Sequence, residues 1–432
     1  MNDEARCGRS IGRAMIRNSG APLLITAAVL LSSCGGGGFG CGDTGLGPCG
    51  PNPSPIELNW GVAVADFNHD GLPDVVVNHS SGGGNPGYDA VYLHASMPAT
   101  GFGPPLQITD GTFWSTLTAV DIDGDGLPDL VSLNGWNYQV SVFLNDPQNP
   151  GTFGPPTVLD TQIANQVIVA DLNGDGAPDL LVADNQVSLF LQNPAARGTF
   201  APPIALYPAG AGSVAAGDLN GDGIADVAVA DAQGVEVLIR TGTASELTFA
   251  APVNVWTRSA NATYGGSANQ VKIVDLKGDG LNDLALTDPG TAGGTPMLVI
   301  LLQDQAHPGQ FLPAVTYTLP DDNYEFGTDD FVTADLNGDG YPDLVFGGLQ
   351  TVAVYLQDPS HPGSFEAPTI YTVPNGATYV AVADIDGDGR PDIVLSGGAT
   401  THAVNGVITS PPGLMLQDAS QPGHFKSVQD LQ

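Results

Sequence analysis

The chain has 432 residues, with 46 Asp+Glu against 11 Lys+Arg and a formal charge of −35, although only 13% of residues are charged. That balance excludes nucleic acid and an anionic membrane surface as electrostatic partners, since both require a basic face. Gly (58) and Pro (35) disfavour long helices, while a hydrophobic content of 42% is enough to build a core. Forty of the acids are Asp and six are Glu. Surface solvation alone would use Glu as readily, so the Asp residues need a specific explanation.

In chain order, the first segment is basic. Arg6, Arg9, Arg13 and Arg17 precede an apolar run from Ala21 to Leu31. A bilayer-spanning helix needs about 20 residues, so this run is too short and fits the apolar centre of an export signal. Asp3 and Glu4 are unusual there, and Met15 offers a second possible start. The end, Leu31-Ser32-Ser33-Cys34, resembles the lipobox of bacterial lipoproteins. That resemblance implies a signal over 1–33, a lipid anchor on Cys34, and, with Gly35 following, outer-membrane sorting with display at the bacterial cell surface. An ordinary cleaved signal with Cys34 an incidental thiol is the competing reading. Residues 34–55 form a Gly-rich tether in which Cys41 and Cys49 suit a small disulfide loop better than a metal site. Beyond them the chain has no Cys, so the body has no thiol nucleophile.

From residue 56 to 432 one pattern recurs seven times: an apolar stretch, D-x-[DN]-x-D-G-x-x-D, then another apolar stretch. The instances begin at Asp66, Asp121, Asp171, Asp218, Asp275, Asp335 and Asp384. A Phe element follows each one, such as GTFGPP from Gly151 and GSFEAP from Gly363. Each unit supplies about four short β-like segments separated by turns. Four-stranded units of this length, repeated radially, predict an all-β, seven-bladed β-propeller with the acidic loop between the first two strands of each blade. A stacked solenoid would need parallel strands and shorter repeats.

The acidic loops have the chemistry of a hard-cation site. Ca2+ takes six to eight oxygens, and positions 1, 3, 5 and 9 of a tight loop supply side-chain oxygens while position 7 turns a carbonyl inward. Gly at position 6 permits the turn. The expected ligands of the first loop are Asp66, Asn68, Asp70, the Leu72 carbonyl and Asp74; of the second, Asp121, Asp123, Asp125, Leu127 and Asp129. Loops three and four offer Asp171, Asn173, Asp175, Ala177 and Asp179, then Asp218, Asn220, Asp222, Ile224 and Asp226. Loops six and seven offer Asp335, Asn337, Asp339, Tyr341 and Asp343, then Asp384, Asp386, Asp388, Arg390 and Asp392. Asp, Asn and Gly also make good turns, which accounts for one such loop but not seven with one spacing. Crowded carboxylates repel unless a cation lies between them. In loop five Lys277 stands at position 3, where its ammonium can neutralise Asp275, Asp279 and Asp283, so this site is expected to be weak or empty and the count to be about six Ca2+.

The units resemble the FG-GAP (VCBS-type) repeats of the integrin α-subunit propeller. The resemblance covers nearly everything after residue 55 and is most specific in the acidic loops. It implies ligand recognition on the face opposite those loops. The long connections fall on that face, together with Trp60, Trp114, Trp136 and Trp256 and with Tyr264 and Tyr324. Tyr88, Tyr138 and Tyr379 lie near them in the chain. Aromatic residues on variable loops over a rigid scaffold suit contact with a protein or a glycan. Trp60 and Trp114, just before first strands, could equally cap the central channel.

No HExxH, GxSxG or P-loop pattern occurs among the seven His and the Ser and Gly residues. The expected function is therefore a non-catalytic binding or adhesion module, with lectin-like glycan binding next and a polysaccharide-acting enzyme on a propeller scaffold last. Removing 1–33 leaves seven basic and 44 acidic residues, a charge of −37, which six Ca2+ would bring to −25. Such a charge suits a compartment rich in calcium.

Overall fold

The computed structural model describes residues 57–81, 87–94, 101–108, 115–134, 137–242, 247–258, 270–288, 296–320, 331–348, 350–374, 377–397, 402–404, 407–409 and 411–431. The expected export signal, Cys34, and the pair Cys41 and Cys49 lie outside them. No helix occurs among the described residues.

The strands form seven four-stranded antiparallel sheets. Blade 1 is β1 (Glu57–Ala65), β2 (Asp74–Ser81), β3 (Tyr88–Tyr92) and β4 (Leu106–Ile108). Blade 2 is β5 (Ser115–Val120), β6 (Asp129–Asn134), β7 (Gln139–Phe143) and β8 (Thr157–Asp160). Blade 3 is β9 (Gln166–Ala170), β10 (Asp179–Ala183), β11 (Val187–Phe190) and β12 (Ile204–Tyr207). Blade 4 is β13 (Ser213–Gly217), β14 (Asp226–Ala230), β15 (Gly234–Leu238) and β16 (Val253–Thr257). Blade 5 is β17 (Val271–Val274), β18 (Asp283–Asp288), β19 (Met297–Leu301) and β20 (Val315–Thr318). Blade 6 is β21 (Phe331–Ala334), β22 (Asp343–Gly347), β23 (Thr351–Tyr355) and β24 (Thr369–Thr372). Blade 7 is β25 (Val380–Ala383), β26 (Asp392–Leu395), β29 (Gly413–Met415) and β30 (Gln429–Asp430), with a small hairpin, β27 (His402–Val404) and β28 (Val407–Thr409), inserted before β29.

Burial follows position within the blade. The second and third strands have neighbouring blades against both faces, so their sequences run continuously apolar, and β10, β14, β22 and β23 are buried throughout. The fourth strands lie on the rim and alternate, as in β8 and β24. Apolar clusters bridge each pair of blades rather than filling one centre. Leu181, Val187 and Leu189 of blade 3 pack with Val214, Val227 and Val229 of blade 4. Ring closure uses the same device: Val62, Val75 and Val77 of blade 1 pack with Val394, Leu414 and Leu431 of blade 7. Blade 7 takes its fourth strand from its own C-terminal residues, so the two ends of the ring share no sheet and meet through this packing.

Two aromatic placements differ from expectation. Trp60 lies within β1, not before it, because pairing extends back to Glu57 across a bulge between Asn59 and Val62. Trp256 lies in β16, opposite Val235, not in an insertion. It is half-buried against the apolar cluster shared by blades 4 and 5, since the strand continues to Thr257 before the connection begins.

Candidate metal centres and the opposite face

Each acidic loop joins the first strand of a blade to the second, and its ninth residue opens the second strand, as Ala334 paired with Asp343 shows in blade 6. Loop 6 illustrates the local logic. Asp335 Oδ1 accepts the amides of Gly338 at 2.7 Å and Asp339 at 3.1 Å, and its Oδ2 accepts that of Gly340 at 2.9 Å. Asn337 Oδ1 accepts the Asp339 amide at 2.9 Å, and its Nδ2 donates to Asp339 Oδ2 at 2.9 Å. Asp339 Oδ1 accepts the Tyr341 amide at 2.9 Å. Short Asx side chains thus wind the backbone around themselves, which a longer Glu could not do in so small a turn. Positions 4 and 6 hold positive φ, as at Gly338 and Gly340. In loop 1 position 4 is His69, with φ +58°, in a region that glycine adopts more readily.

The ninth Asp is the anchor. Asp343 is fully buried, its Oδ2 accepts the Leu336 amide at 2.9 Å, and its Oδ1 accepts the Gln357 amide at 2.7 Å. Burial pushes its carboxyl up to about 6, reinforced by Asp339 and Asp335 and opposed by the two amides. Burial likewise pushes Asp74, Asp129, Asp179, Asp283 and Asp392 up to about 6, and Asp226 upward. A carboxylate held in this way gains from a cation beside it. Carboxylate oxygens of Asp121, Asp123 and Asp129, and of Asp384, Asp386 and Asp388, lie within 4.8 Å of one another. An all-oxygen donor set of this density fits a hard divalent ion such as Ca2+.

Three local cations act on four of the loops. Lys277 Nζ lies 2.8 Å from Asp279 Oδ2 and 3.9 Å from Asp283 Oδ1, and it donates to the Gln303 carbonyl at 2.9 Å. Burial acts to raise Asp279, but the Lys277 hydrogen bond and charge outweigh it and hold the carboxyl below its ordinary value. Lys277 thus brings Asp279 and Asp283 together as a cation would. The expected contact with Asp275 is not among its ion pairs; that carboxylate caps the amides of Asp279 and Gly280. In loop 7 Arg390 pairs with Asp388. Arg197 reaches the Gly176 carbonyl of loop 3 at 3.0 Å, and its charge works against the rise that burial causes in Asp123.

Sequence reasoning missed the residues that receive the anchors. His94, Asn145, Gln192, Arg240, Gln303, Gln357 and Gln417 each follow a third strand by two residues and bridge the Phe of the following element. The amide of each donates to the ninth Asp of its own blade, as from Asn145 to Asp129 at 2.7 Å. The side chains of Asn145, Gln192, Arg240 and Gln417 also reach the preceding blade. Asn145 Nδ2 donates to the Phe67 carbonyl at 2.8 Å, Gln192 Nε2 to that of Ile122 at 3.2 Å, and Gln417 Nε2 to that of Leu336 at 2.8 Å. Those three carbonyls belong to position 2 of the preceding acidic loop. Neighbouring loops are therefore wired together. The L-[QN]-[DN] that recurs before five of the seven Phe elements was the available signal.

On the opposite face Ser213 Oγ donates to Gln166 Oε1 at 2.9 Å and accepts the Val271 amide at 3.0 Å, joining the first strands of blades 3, 4 and 5. Arg258 and Asp288 form a buried ion pair at 2.9 Å between blades 4 and 5. Tyr138 is exposed at φ +57°, Tyr88 stacks on the buried His79 at 5.0 Å, and Tyr379 precedes β25. Burial lowers His79 to about 4. Trp114, Trp136, Tyr264, Tyr324 and the acidic stretch 321–330 lie outside the described residues, as does the side chain of Trp60.

Seven four-stranded blades, each with an Asx-rich loop between its first two strands, define a β-propeller of the repeat-loop class. Six overlapping segments, 66–132, 121–182, 171–229, 218–286, 275–346 and 335–395, match the FG-GAP-like repeat, and the chain belongs to that family. It is 27% identical over 159 residues to human phosphatidylinositol-glycan-specific phospholipase D; the match takes in 29% of this chain and 18% of that relative. Among solved structures it resembles an Agrocybe aegerita lectin that recognises non-reducing terminal N-acetylglucosamine (TM-score 0.50, 22% identity, 73% of this chain and 80% of the other). It also resembles a candidate 6-phosphogluconolactonase from Bacteroides fragilis (TM-score 0.50, 14% identity, 75% and 85%).

Proposed function

We propose that this protein is a calcium-stabilised binding module, exported and lipid-anchored through Cys34, whose propeller displays a ligand-binding face opposite the acidic loops. The observation that carries this reading is the sevenfold buried carboxylate, with an ammonium beside it in loop 5. Nature has supplied a cation in the one loop that lacks an oxygen side chain at position 3, which supports a cation in the others. The ligands are those expected from the sequence, with each ninth Asp holding its loop to the strand behind it. Calcium supplies charge neutralisation and rigidity, and the chemistry of recognition falls to the loops above. The ligand is an extracellular protein or glycan. Native mass spectrometry in Ca2+ should give six bound ions per chain; seven equivalent ions would refute the assignment of loop 5, and none would refute calcium altogether. Binding to intact cells, with and without Ca2+, tests the module itself.

Lectin-like glycan binding is the second reading, favoured by the resemblance to the fungal lectin over 73% of this chain. A glycan array that includes terminal N-acetylglucosamine, repeated with Trp136→Ala, separates the two. Enzymatic turnover is the least favoured reading, because the crowded carboxylates serve the loops; a turnover screen on acidic polysaccharides tests it.

A further inference from the structure

Each ninth Asp accepts one amide from its own loop and one from the residue just past its third strand, and in some blades these donors form a relay. In loop 1 the Phe67 amide donates to Asp74 Oδ2 at 2.9 Å, and the Phe67 carbonyl accepts Asn145 Nδ2 at 2.8 Å. The Asn145 amide then donates to Asp129 Oδ1 at 2.7 Å. The pattern continues from Asp129 without a break. Its Oδ2 accepts the Ile122 amide at 2.8 Å, the Ile122 carbonyl accepts Gln192 Nε2 at 3.2 Å, and the Gln192 amide donates to Asp179 Oδ1 at 2.8 Å. Asp74, Asp129 and Asp179, in three successive blades, are thus joined by one line of hydrogen bonds. Leu336 and Gln417 join Asp343 to Asp392 in the same way, at 2.9, 2.8 and 2.8 Å. All five carboxylates are buried.

The relay has ends. Arg240 holds the place of Gln192 in blade 4, but its guanidinium reaches the Asn173 carbonyl, one position further along loop 3. Among the described residues the Leu172 amide, and not that of Asn173, donates to Asp179. Gln303 and Gln357 donate to the Asn282 and Pro342 carbonyls of their own blades, and among the described residues neither bonds to the preceding loop. Asn282 touches loop 4 only through the Asp218 carbonyl, at position 1. In blade 1 the place belongs to His94, whose ring stacks on Phe102 of its own blade at 4.6 Å. Gln357 and Gln417 are the same residue at the same place, so the boundary is set by which carbonyl comes within reach. It falls beside loop 5, where Lys277 already supplies the positive charge.

We propose that the relay makes calcium binding cooperative in two separate blocks, loops 1 to 3 and loops 6 and 7, with Asn145, Gln192 and Gln417 as the positioning residues that couple them. The inference rests on the calcium reading above. A carboxylate oxygen has lone pairs for an amide and an ion together. An ion that fixes Asp74 also fixes Phe67, which then presents its carbonyl to Asn145. Loop 2 needs less ordering to take its own ion, which is positive coupling without a change of fold.

The test is hydrogen exchange by mass spectrometry on the full chain across a Ca2+ titration, reading the midpoint of protection for the peptide that spans each loop. Asp70→Ala removes an exposed ligand of loop 1 that takes no part in the relay. It should abolish protection at loop 1 and raise the Ca2+ midpoint at loop 2 about fivefold, the worth of one hydrogen bond. The midpoint at loop 3 should rise less, and that at loop 6 should stay where it is. Asp339→Ala in loop 6 should raise the midpoint at loop 7 and leave loop 2 alone. In an Asn145→Leu background loop 2 should no longer respond to Asp70→Ala; the two ligand variants carry the test if that protein fails to fold. An unchanged loop 2 midpoint in Asp70→Ala, or an equal shift at loop 6, overturns the coupling and leaves calcium binding standing. Protection that is independent of Ca2+ at every loop, or that survives Asp70→Ala at loop 1, overturns the calcium assignment and the coupling with it.

Discussion

Loops 5 and 6 share a backbone turn and a buried anchor and differ in how the charge is balanced. Loop 6 sets Asp335, Asp339 and Asp343 around Asn337, with no basic residue at position 3. Loop 5 places Lys277 at that position, against Asp279 and Asp283. The comparison teaches that the turn itself is made by Asx caps and glycine, while the charge is a separate problem, which loop 5 meets with an internal ammonium and for which the proposed Ca2+ would be the counterpart in loop 6.

The largest expected effect comes from removing the ion everywhere. A site filled to a hundredfold above its dissociation constant contributes about 2.7 kcal/mol. Chelation should therefore lower the calorimetric melting temperature strongly, and hydrogen exchange should show Leu336 and Gln357 losing protection before Leu276 and Gln303. Equal loss in both loops would break the comparison. Next, Asp343→Ala deprives two buried amides of their acceptor, at about 1–3 kcal/mol each, measured by urea unfolding. Asp283→Ala should cost at least as much, since it also removes a carboxylate facing Lys277.

Lys277→Asn converts loop 5 to the pattern of loop 6. It should add one bound Ca2+ by native mass spectrometry and make the protein more sensitive to chelator than the wild type. Gln417→Leu cuts the side-chain link to loop 6 and should cost about 1–2 kcal/mol in stability. It should also weaken Ca2+ binding at loop 6, visible as a lower affinity for one ion.

The smallest effect is that of pH. The anchors' carboxyls are raised from 3.8 to about 6, so the folded chelated protein binds more protons than the unfolded chain between those values. The chelated protein should then gain stability as the pH falls from 7 toward 4. Calcium competes with those protons, so the gap in melting temperature between the loaded and chelated forms should narrow over the same interval. A gap that widens would show that the anchors do not sense the ion.

Much of the fold was legible because each blade repeats its own instructions. The spacing of Asp66, Asp121 and their successors marks the turns, and the apolar runs beside them mark the strands that are buried on both faces. Trp256 shows where this reading weakens: near a strand end, pairing can extend for several residues, and neither hydropathy nor turn chemistry states where it stops. The residues at Asn145, Gln192 and Gln417 were hidden for another reason. Their role depends on carbonyls about 70 to 80 residues away in the neighbouring blade, a distance at which local patterns carry no signal.

The sequence by itself determined the blade count, the position of the acidic loops and the departure at Lys277, because each depends on residues within one short turn. Only the tertiary structure decided that blades 1 and 7 meet through apolar packing and that Asn145, Gln192 and Gln417 reach back to the acidic loop of the preceding blade. Those properties lie between blades. They arise from side chains that meet only after the chain has come round the ring, so burial and hydrogen-bond partners are set there by geometry.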